Sequence, residues 1–197
     1  GRIVIKSPLP PGNMTTLYES PDRFVKTYFS EYPGFYDTMD AGFKDEHGYV
    51  CVMSRDDDVI NVAGHRLSTS AIEEAVLEHN DVIDCAVIGV PDDLKGEVPL
   101  ALFVGNAQST RSEEQIVLEL REVVRQIIGP VAAFRLAAQV PALPRTRSGK
   151  TPRKTLSDLA RSKQVVIPGT VEDPSVYPAI KEALQRLGYA TNAPDPE

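Results

Sequence analysis

The alternation of apolar strands with amphipathic helices beyond residue 68 is the sequence feature that most constrains the fold. Three apolar runs are typical of buried strands: residues 82–90, 100–104 and 136–140. Between the second and third runs, residues 116–127 carry an apolar stripe at helical spacing, which Gly129 and Pro130 bring to an end. Strands that alternate with helices in this way predict an α+β fold, with helices packed on a small mixed sheet.

Two helix starts in this region can be predicted from their capping residues. Ser70 and Glu73 have the spacing of a capping box, which predicts a helix beginning near residue 70. Thr151 and Pro152 are typical of an N-cap followed by the first helical residue, so we expect a second helix to begin there.

The N-terminal part of the chain has a different pattern and predicts a β-rich segment. Residues 43–53 are typical of a hairpin in which Gly48 supplies the left-handed turn position. The adjacent carboxylates of residues 56–58 repel one another, so we expect them in an exposed joint. We therefore predict three parts: the β-rich segment of residues 1–55, a small mixed-sheet domain of residues 56–165, and an extension of residues 166–197 that is partly helical with a disordered end.

The charge and hydropathy of the chain exclude two classes of function. A formal net charge of −7 and a pI of about 5.1 argue against general binding to nucleic acid or to anionic membranes. The apolar runs of the sequence are too short to cross a bilayer.

Cys51 and Cys85 both lie in apolar runs. This predicts buried, unpaired thiols in a reducing compartment rather than a disulfide or a metal site.

The basic residues near the C-terminus concentrate in one stretch. Seven of them lie between residues 145 and 163: Arg145, Arg147, Lys150, Arg153, Lys154, Arg161 and Lys163. Residues 148–151 look like the tail of a phosphate-binding P-loop, but Pro144 occupies the position of its first glycine, which makes that motif a poor match. Lys150 remains as a charge on a loop, suited to a polyphosphate or a developing anion; the alternative is a solvated basic loop without a ligand.

A second group of polar residues surrounds the predicted joint. Asp40 precedes the hairpin, and a carboxylate there can accept two ribose hydroxyls or simply cap a turn. Arg55 and Arg66 flank a short hairpin and could face one anion or form rim salt bridges of little energy. Gly64 permits either the close approach of a ligand or a tight turn. Taken singly, these residues leave both interpretations open.

Taken in order, three segments resemble one family. Residues 36–40, 55–66 and 144–150 are similar to the three C-terminal signatures of the acyl-adenylate-forming (AMP-binding) enzymes. Within the second segment, residues 61–66 resemble the short-chain acyl-CoA synthetases of the acetyl-CoA and propionyl-CoA synthetase type. The family usually has glycine at the position of Met39, and methionine there resembles the propionate-preferring mitochondrial type of these enzymes. The resemblance covers about residues 1–187.

This resemblance implies an AMP-forming acid–thiol ligase. In the family a carboxylate attacks the α-phosphate of ATP to give an acyl-adenylate and pyrophosphate, and the thiolate of coenzyme A then displaces AMP. The implied substrates are acetate or propionate, ATP and coenzyme A, and the implied metal is Mg²⁺. The alternative is a non-catalytic module that binds coenzyme A or a nucleotide.

The resemblance also implies how the chain is used. Residues 1–55 correspond to the end of a large AMP-binding domain, and residues 56–165 to a mobile C-terminal domain. The phosphate loop and acyl pocket of the large N-terminal domain have no counterpart in this sequence. We therefore expect the chain to be inactive alone and to act with that domain, inside the cell, in the mitochondrial matrix or the cytoplasm.

The nucleotide-binding and catalytic residues follow by position. The resemblance assigns Asp40 and Arg55 to the ribose of ATP and Arg66 to its phosphate. Lys150 corresponds to the lysine that enters the site for adenylation and leaves for thioester formation, and it is also an expected target of reversible acylation. Asp57 corresponds to the hinge about which the small domain turns.

The remaining assignments concern coenzyme A and magnesium. Ala63 and Gly64 correspond to the backbone that lines the pantetheine tunnel, and Arg125 to an arginine near the nucleotide phosphates of coenzyme A. Three positions correspond to a peripheral magnesium site in some members of the family: Leu77, His79 and Val82.

Overall fold

The computed structural model describes residues 1–197, except for the side chain of Asp57. The strands are β1 (Arg2–Lys6), β2 (Phe35–Lys44), β3 (Val50–Arg55), β4 (Val59–Val62), β5 (His65–Ser68), β6 (Val82–Asp92), β7 (Gly96–Gly105) and β8 (Leu136–Gln139). The helices are α1 (Pro21–Tyr28), α2 (Thr69–Leu77), α3 (Glu113–Ile127), α4 (Arg153–Ala160) and α5 (Tyr177–Arg186). The chain forms two compact units, Gly1–Asp57 and Asp58–Glu197.

The first unit is built on an antiparallel sheet in the order β1–β2–β3. The turn between β2 and β3 is closed by hydrogen bonds of Asp45 with Tyr49, and Gly48 adopts φ +92° there, as the hairpin pattern predicts. Helix α1 buries Phe24 in a cluster with three other aromatic rings, those of Tyr28, Phe29 and Tyr36. Ring centroids in this cluster lie 5.0–5.6 Å apart, so the rings form the small core of the unit.

The second unit contains a mixed sheet in the order β5–β4–β7–β6. Strands β6 and β7 form a long antiparallel hairpin, and β8 pairs with β7 in parallel. Strand β4 joins the sheet through the pairing of Val62 with Gly96. The α+β fold class predicted from the alternating pattern is confirmed, because helices pack on both faces of this sheet.

The hairpin of β6 and β7 separates two hydrophobic cores. Alternate residues point to opposite faces of a strand, so the continuous apolar runs of β6 and β7 supply both cores. One core joins the hairpin to α2 and α3 and includes Cys85, Val87, Ala101, Phe103, Ile116 and Leu120. The other joins it to α4 and α5 and includes Ala86, Ile88, Leu100, Leu102, Leu156 and Ile180.

Both predicted helix starts differ from those in the structure, and the capping box that the structure does contain belongs to α3. Helix α3 begins with the capping box of Ser112 and Gln115. Helix α2 is capped by Ser68 rather than the predicted Ser70, because the Ser68 hydroxyl accepts the amide proton of Ala71 at 3.4 Å. Helix α4 begins at Arg153, after the predicted first residue, and its N-cap makes no side-chain hydrogen bond.

The residues after α4 belong to the second unit rather than forming a separate extension. Helix α5 and its neighbours pack into the core shared with α4. The last residues are also held, where the sequence predicted disorder. The amide of Glu197 donates to Val165 at 3.1 Å, its carbonyl accepts from Ile167 at 2.5 Å, and Lys181 pairs with Asp195 at 2.6 Å.

The two cysteines differ in environment. Cys85 is buried, and burial raises the pKa of its thiol to about 12, so it is an inert core residue. Cys51 is exposed on β3, so the prediction that it is buried was wrong.

None of the helices in the described part of the chain has the length and apolar character of a membrane span.

Truncation of Leu120 to alanine should destabilise the protein, because this side chain of α3 is fully buried in the core. We expect Leu120→Ala to lower the free energy of unfolding by about 3 kcal/mol. The matched control is Leu118→Ala on the same helix, whose side chain is 59% exposed and should contribute about 0.5 kcal/mol or less. Equilibrium urea unfolding measures both; equal losses would contradict the assigned core.

Candidate active site

Asp40 and Arg55, the predicted ribose-binding residues, lie opposite each other on β2 and β3. Asp40 is half-buried, and its amide donates to the hydroxyl of Thr38 at 3.2 Å. Arg55 is exposed, and its guanidinium approaches the sulfur of Met39 at 3.4 Å. The first unit therefore places a carboxylate and a guanidinium side by side at one end of its sheet.

The backbone around Met39 has an unusual conformation. Met39 adopts φ +61°, a left-handed conformation that costs an ordinary residue free energy and that glycine adopts readily. The carboxylate of Asp37 stabilises this bend, because it accepts the Met39 amide proton at 2.9 Å. Met39 therefore adopts, with a hydrogen bond from Asp37, a conformation that a glycine at this position would adopt more readily.

Asp37 has a second role that the sequence did not indicate. It is buried and pairs with Arg2 of β1 at 3.4 Å, and Arg2 also pairs with Asp56 at 2.8 Å. Arg2 thereby ties β1 to the short 3₁₀ turn Asp56–Asp58. The predicted hinge residue, Asp57, lies in this turn, where the two units meet in the chain; its side chain is outside the described part. Its role as a hinge stays a prediction.

The turn between β4 and β5 carries the predicted pantetheine-binding backbone. Ala63 and Gly64 adopt φ +49° and +89°, as in the two-residue hairpin turns that match the twist of paired strands. The Gly64 amide donates to the side chain of Asn61 at 3.0 Å, and the Ala63 amide donates to the carbonyl of Lys95 at 2.9 Å. Arg66, the predicted phosphate-binding residue, pairs with Asn61 across this hairpin.

A basic cavity of about 350 Å³ contains the predicted coenzyme A residue Arg125. Three further cations line it: Lys95, Arg121 and Arg135. Arg121 is fixed by two hydrogen bonds to the carbonyl of Arg135, at 3.0 and 2.6 Å. Because Lys95 also accepts the Ala63 amide proton, the turn of Ala63 and Gly64 adjoins this cavity. The structure thus brings the three predicted coenzyme A residues together, and Lys95 is the link that sequence reasoning missed.

The loop that carries Lys150 is a tight turn closed by its own backbone. Thr146 donates its amide proton to the Lys150 carbonyl at 2.9 Å, and the Lys150 amide donates to the Thr146 hydroxyl at 3.1 Å. Gly149 adopts φ +78° to complete the turn. Arg145 crosses beneath it, donating to Thr151 at 2.8 Å and pairing with Asp84 of β6. Lys150 therefore projects from a defined loop.

Most of the cations around this loop are neutralised by carboxylates. Five of the seven basic residues between positions 145 and 163 have acidic partners: Arg145, Arg153, Lys154, Arg161 and Lys163. Among the side chains that the structure describes, none pairs with Lys150 or Arg147, and both are exposed. The loop consequently presents two positive charges that are available to a ligand.

Glu73 anchors the helix that follows the loop. Its buried carboxylate accepts two hydrogen bonds from Arg153, at 2.9 and 2.6 Å, and the amide proton of Val87 at 2.8 Å. These bonds to Glu73 raise the pKa of the Arg153 guanidinium, so it remains charged. Arg153 also reaches Asp58 at 3.6 Å. The sequence offered one signal of this role, a glutamate on the apolar side of α2.

The imidazole of the predicted magnesium residue His79 is occupied by protein contacts. Its Nδ1 accepts the Asp81 amide proton at 3.1 Å, so the proton lies on Nε2, which donates to Glu119 at 2.7 Å. Its carbonyl accepts the Val82 amide proton at 3.0 Å. The described residues form no cluster of three metal-binding side chains. The imidazole of His79 therefore does not fit a role as a magnesium ligand. The assignment of Leu77, His79 and Val82 to a magnesium site stays a prediction.

Comparison with known proteins identifies relatives of this chain. Residues 71–150 match the AMP-binding enzyme C-terminal domain. The chain is 56% identical over 186 residues to acyl-CoA synthetase short-chain family member 3, mitochondrial, of Mus musculus, covering 94% of this chain and 27% of the relative. It is 42% identical over 187 residues to the acetyl-coenzyme A synthetase of Pyrobaculum arsenaticum, covering 95% and 28%. The structure of acetoacetyl-CoA synthetase from Streptomyces lividans matches with a TM-score of 0.81 at 21% identity, covering 95% and 28%, and supports the fold alone.

The chain therefore carries the C-terminal domain of the AMP-binding enzymes. More specifically, it belongs to the short-chain acyl-CoA synthetase family and corresponds to the C-terminal part of those proteins, so the resemblance found in the sequence is confirmed. It spans 27% to 28% of the length of the two relatives named above.

Removal of the Arg153 side chain should destabilise the second unit, because it leaves the carboxylate of Glu73 buried without its counter-charge. We expect Arg153→Ala to lower the free energy of unfolding by about 3 kcal/mol. Its neighbour Lys154 is 77% exposed and, among the described side chains, pairs only with Asp158, so Lys154→Ala should cost about 0.5 kcal/mol or less. Urea unfolding of both variants tests this difference, and similar costs would show that the Glu73 pair is not a structural anchor.

Proposed function

We propose that this chain is the C-terminal part of an AMP-forming short-chain acyl-CoA ligase. Such an enzyme activates acetate or propionate with ATP and transfers the acyl group to coenzyme A. The observation that carries the proposal is the exposed ammonium of Lys150, which has no partner among the described side chains and projects from a closed loop, whereas carboxylates neutralise five of the other cations in this stretch. The family membership of the chain supports the same reaction.

Lys150 serves the first half-reaction in this proposal. A carboxylate oxygen of the substrate forms a bond to the α-phosphorus of ATP, and the bond from that phosphorus to the β-phosphate oxygen breaks to release pyrophosphate. Negative charge builds on the phosphoryl oxygens during the displacement, and a lysine ammonium stabilises it. Asp40 and Arg55 hold the ribose and Arg66 a phosphate, by hydrogen bonds and by charge.

The basic cavity serves the second half-reaction. The coenzyme A thiolate forms a bond to the acyl carbon, and the bond from that carbon to the phosphate oxygen breaks to release AMP. The phosphates of coenzyme A match the charge of Lys95, Arg121, Arg125 and Arg135. The adjoining turn of Ala63 and Gly64 presents backbone to the pantetheine arm.

The basic cavity and the Lys150 loop lie on different layers of the second unit. Arg125 belongs to α3, which packs on one face of the β6–β7 hairpin, whereas Lys150 precedes α4, which packs on the other. One orientation of the unit cannot easily present both features to the same substrate, which supports a rotation between the two half-reactions. We propose Asp57 as the hinge of that rotation.

The exposed apolar surface of the first unit supports a role for a large N-terminal domain. Strand β3 exposes Val50 and Val52 on one face and Cys51 and Met53 on the other, and Phe43 of β2 is exposed beside it. A strand with apolar side chains exposed on both faces is typical of an interaction surface. We propose that the large domain of the same protein covers this surface and supplies the acyl pocket.

We propose an intracellular location, in the mitochondrial matrix or the cytoplasm. The name of the mouse relative includes the word mitochondrial, which favours the matrix. ATP and coenzyme A are the proposed co-substrates. Mg²⁺ is the proposed metal, through its usual association with nucleotide phosphates.

Replacement of Lys150 by alanine in the full-length protein should stop adenylation and spare thioester formation. We expect exchange of pyrophosphate into ATP, dependent on acetate or propionate, to fall by roughly a hundredfold or more, because the counter-charge of the transferring phosphoryl group is lost. Thioester formation from supplied acyl-adenylate should stay close to the unmodified rate. Equal loss of both half-reactions would refute the assigned role. Lys154→Ala, which removes an exposed and paired lysine nearby, is the control.

Replacement of Gly64 by leucine should slow thioester formation and spare adenylation, the reverse of the effect expected for Lys150→Ala. Gly64 adopts φ +89°, so any side chain there strains the backbone, but a side-chain carbon meets no atom of the described chain within 4 Å and would obstruct only a ligand. We expect Gly64→Leu to slow thioester formation by roughly tenfold or more, because pantetheine can no longer reach the acyl carbon, while adenylation persists. Gly188→Leu is the matched control, since Gly188 has a similar φ, +85°, and equally open space. Unaltered thioester formation in Gly64→Leu would contradict the tunnel assignment.

A further inference from the structure

The Lys150 loop is held by backbone hydrogen bonds to residues 170–172, which lie beyond the matched family domain. Thr146 and Val171 form an antiparallel bridge. On either side of it, the Arg147 amide donates to the Thr170 carbonyl at 3.0 Å, and the Glu172 amide donates to the Arg145 carbonyl at 2.9 Å. The family domain matches only residues 71–150. The chain thus uses residues outside that domain to hold the backbone from which Lys150 projects.

A buried pair of hydroxyl groups holds the other end of the loop. The Thr155 hydroxyl donates to the carbonyl of Pro152 at 2.8 Å, which uses its only proton. The Tyr177 hydroxyl, 2.6 Å from Thr155, must therefore be the donor of that second bond. Tyr177 is fully buried in the core at the start of α5. The chain after residue 170 consequently fixes both the entry to the Lys150 loop and its exit.

We propose that residues 170–177 are a positioning element for Lys150, an inference that rests on the proposed function. The Lys150 ammonium has no partner among the described side chains, so its location is set by the backbone of its loop. That backbone is held by its own turn and by the bonds from residues 170–177. Loosening these bonds displaces the ammonium from the transferring phosphoryl group and leaves the basic cavity on α3 unaltered.

The first test removes one of these bonds with proline in the full-length protein. Glu172→Pro deletes the amide that donates to Arg145, and its neighbour Val171 is in an antiparallel bridge, an extended conformation that a residue before proline prefers. We expect adenylation, measured as pyrophosphate exchange, to slow by roughly tenfold or more, with a lower kcat and little change in the KM for ATP. Glu172→Ala keeps the amide and removes only an exposed side chain, so it should behave as the unmodified protein.

The second test removes the hydroxyl of Tyr177 and keeps its ring. Tyr177→Phe should slow adenylation by a smaller factor, roughly fivefold, because the Thr155 bond to Pro152 remains. The matched control is Tyr189→Phe in the same unit, which removes a hydroxyl that donates to the carbonyl of Pro91 at 3.2 Å rather than to a described residue of the loop. Tyr189→Phe should leave adenylation unaltered.

Thioester formation from supplied acyl-adenylate separates positioning from general destabilisation. It should remain within about twofold of the unmodified rate in both variants, because the coenzyme A residues keep their contacts. Equal slowing of the two half-reactions, or unaltered adenylation in Glu172→Pro, would overturn the inference. Lys150→Ala in the same series distinguishes the two hypotheses: if it retains adenylation the proposed function fails, whereas if only Glu172→Pro retains it the positioning inference fails alone.

Discussion

The carboxylate of Glu73 is the interaction on which the arrangement of the second unit depends. Strand β6 is the last strand of its sheet, and the amide of Val87 would be an open donor at that edge without an acceptor. Glu73 accepts this proton and also holds Arg153. Because Glu73 belongs to α2 and Arg153 to α4, one buried carboxylate joins the helices on the two faces of the sheet around its edge.

The same edge organises the charges of the basic stretch. Arg145 pairs with Asp84 of β6, and Arg153 pairs with Glu73 of α2, whose carboxylate is bonded to Val87 of β6, so both ends of the loop between these arginines are held at this edge. Buried or half-buried carboxylates neutralise the arginines that hold the structure together. Lys150 lies between them without such a partner among the described side chains. The division between structural and available cations is therefore made by the placement of acidic residues, which no local count of lysine and arginine reveals.

The fold could be predicted from the sequence because its strands and helices differ in hydrophobic period. The long apolar runs of β6 and β7 are typical of strands that are buried on both faces. Features that depend on distant residues could not be predicted. Ser68 and Ser70 are equally good caps by composition, and only the extended backbone at Ser68 decides between them. Lys95 and Arg125 line the same cavity although the whole of β7 lies between them in the sequence. The end of the chain is polar, yet backbone bonds to Val165 and Ile167 hold it.

Strand β3 has a consequence for handling the chain by itself. It is the last strand of the three-stranded sheet, and its side chains are apolar and exposed on both faces. Edge strands of this kind template pairing between molecules, and charged residues that would oppose such pairing are absent from Val50 to Met53. An exposed thiol at Cys51 adds a covalent route to the same association. Concentrated preparations of the chain alone will accumulate strand-paired, disulfide-linked oligomers unless a reductant and a covering partner are present.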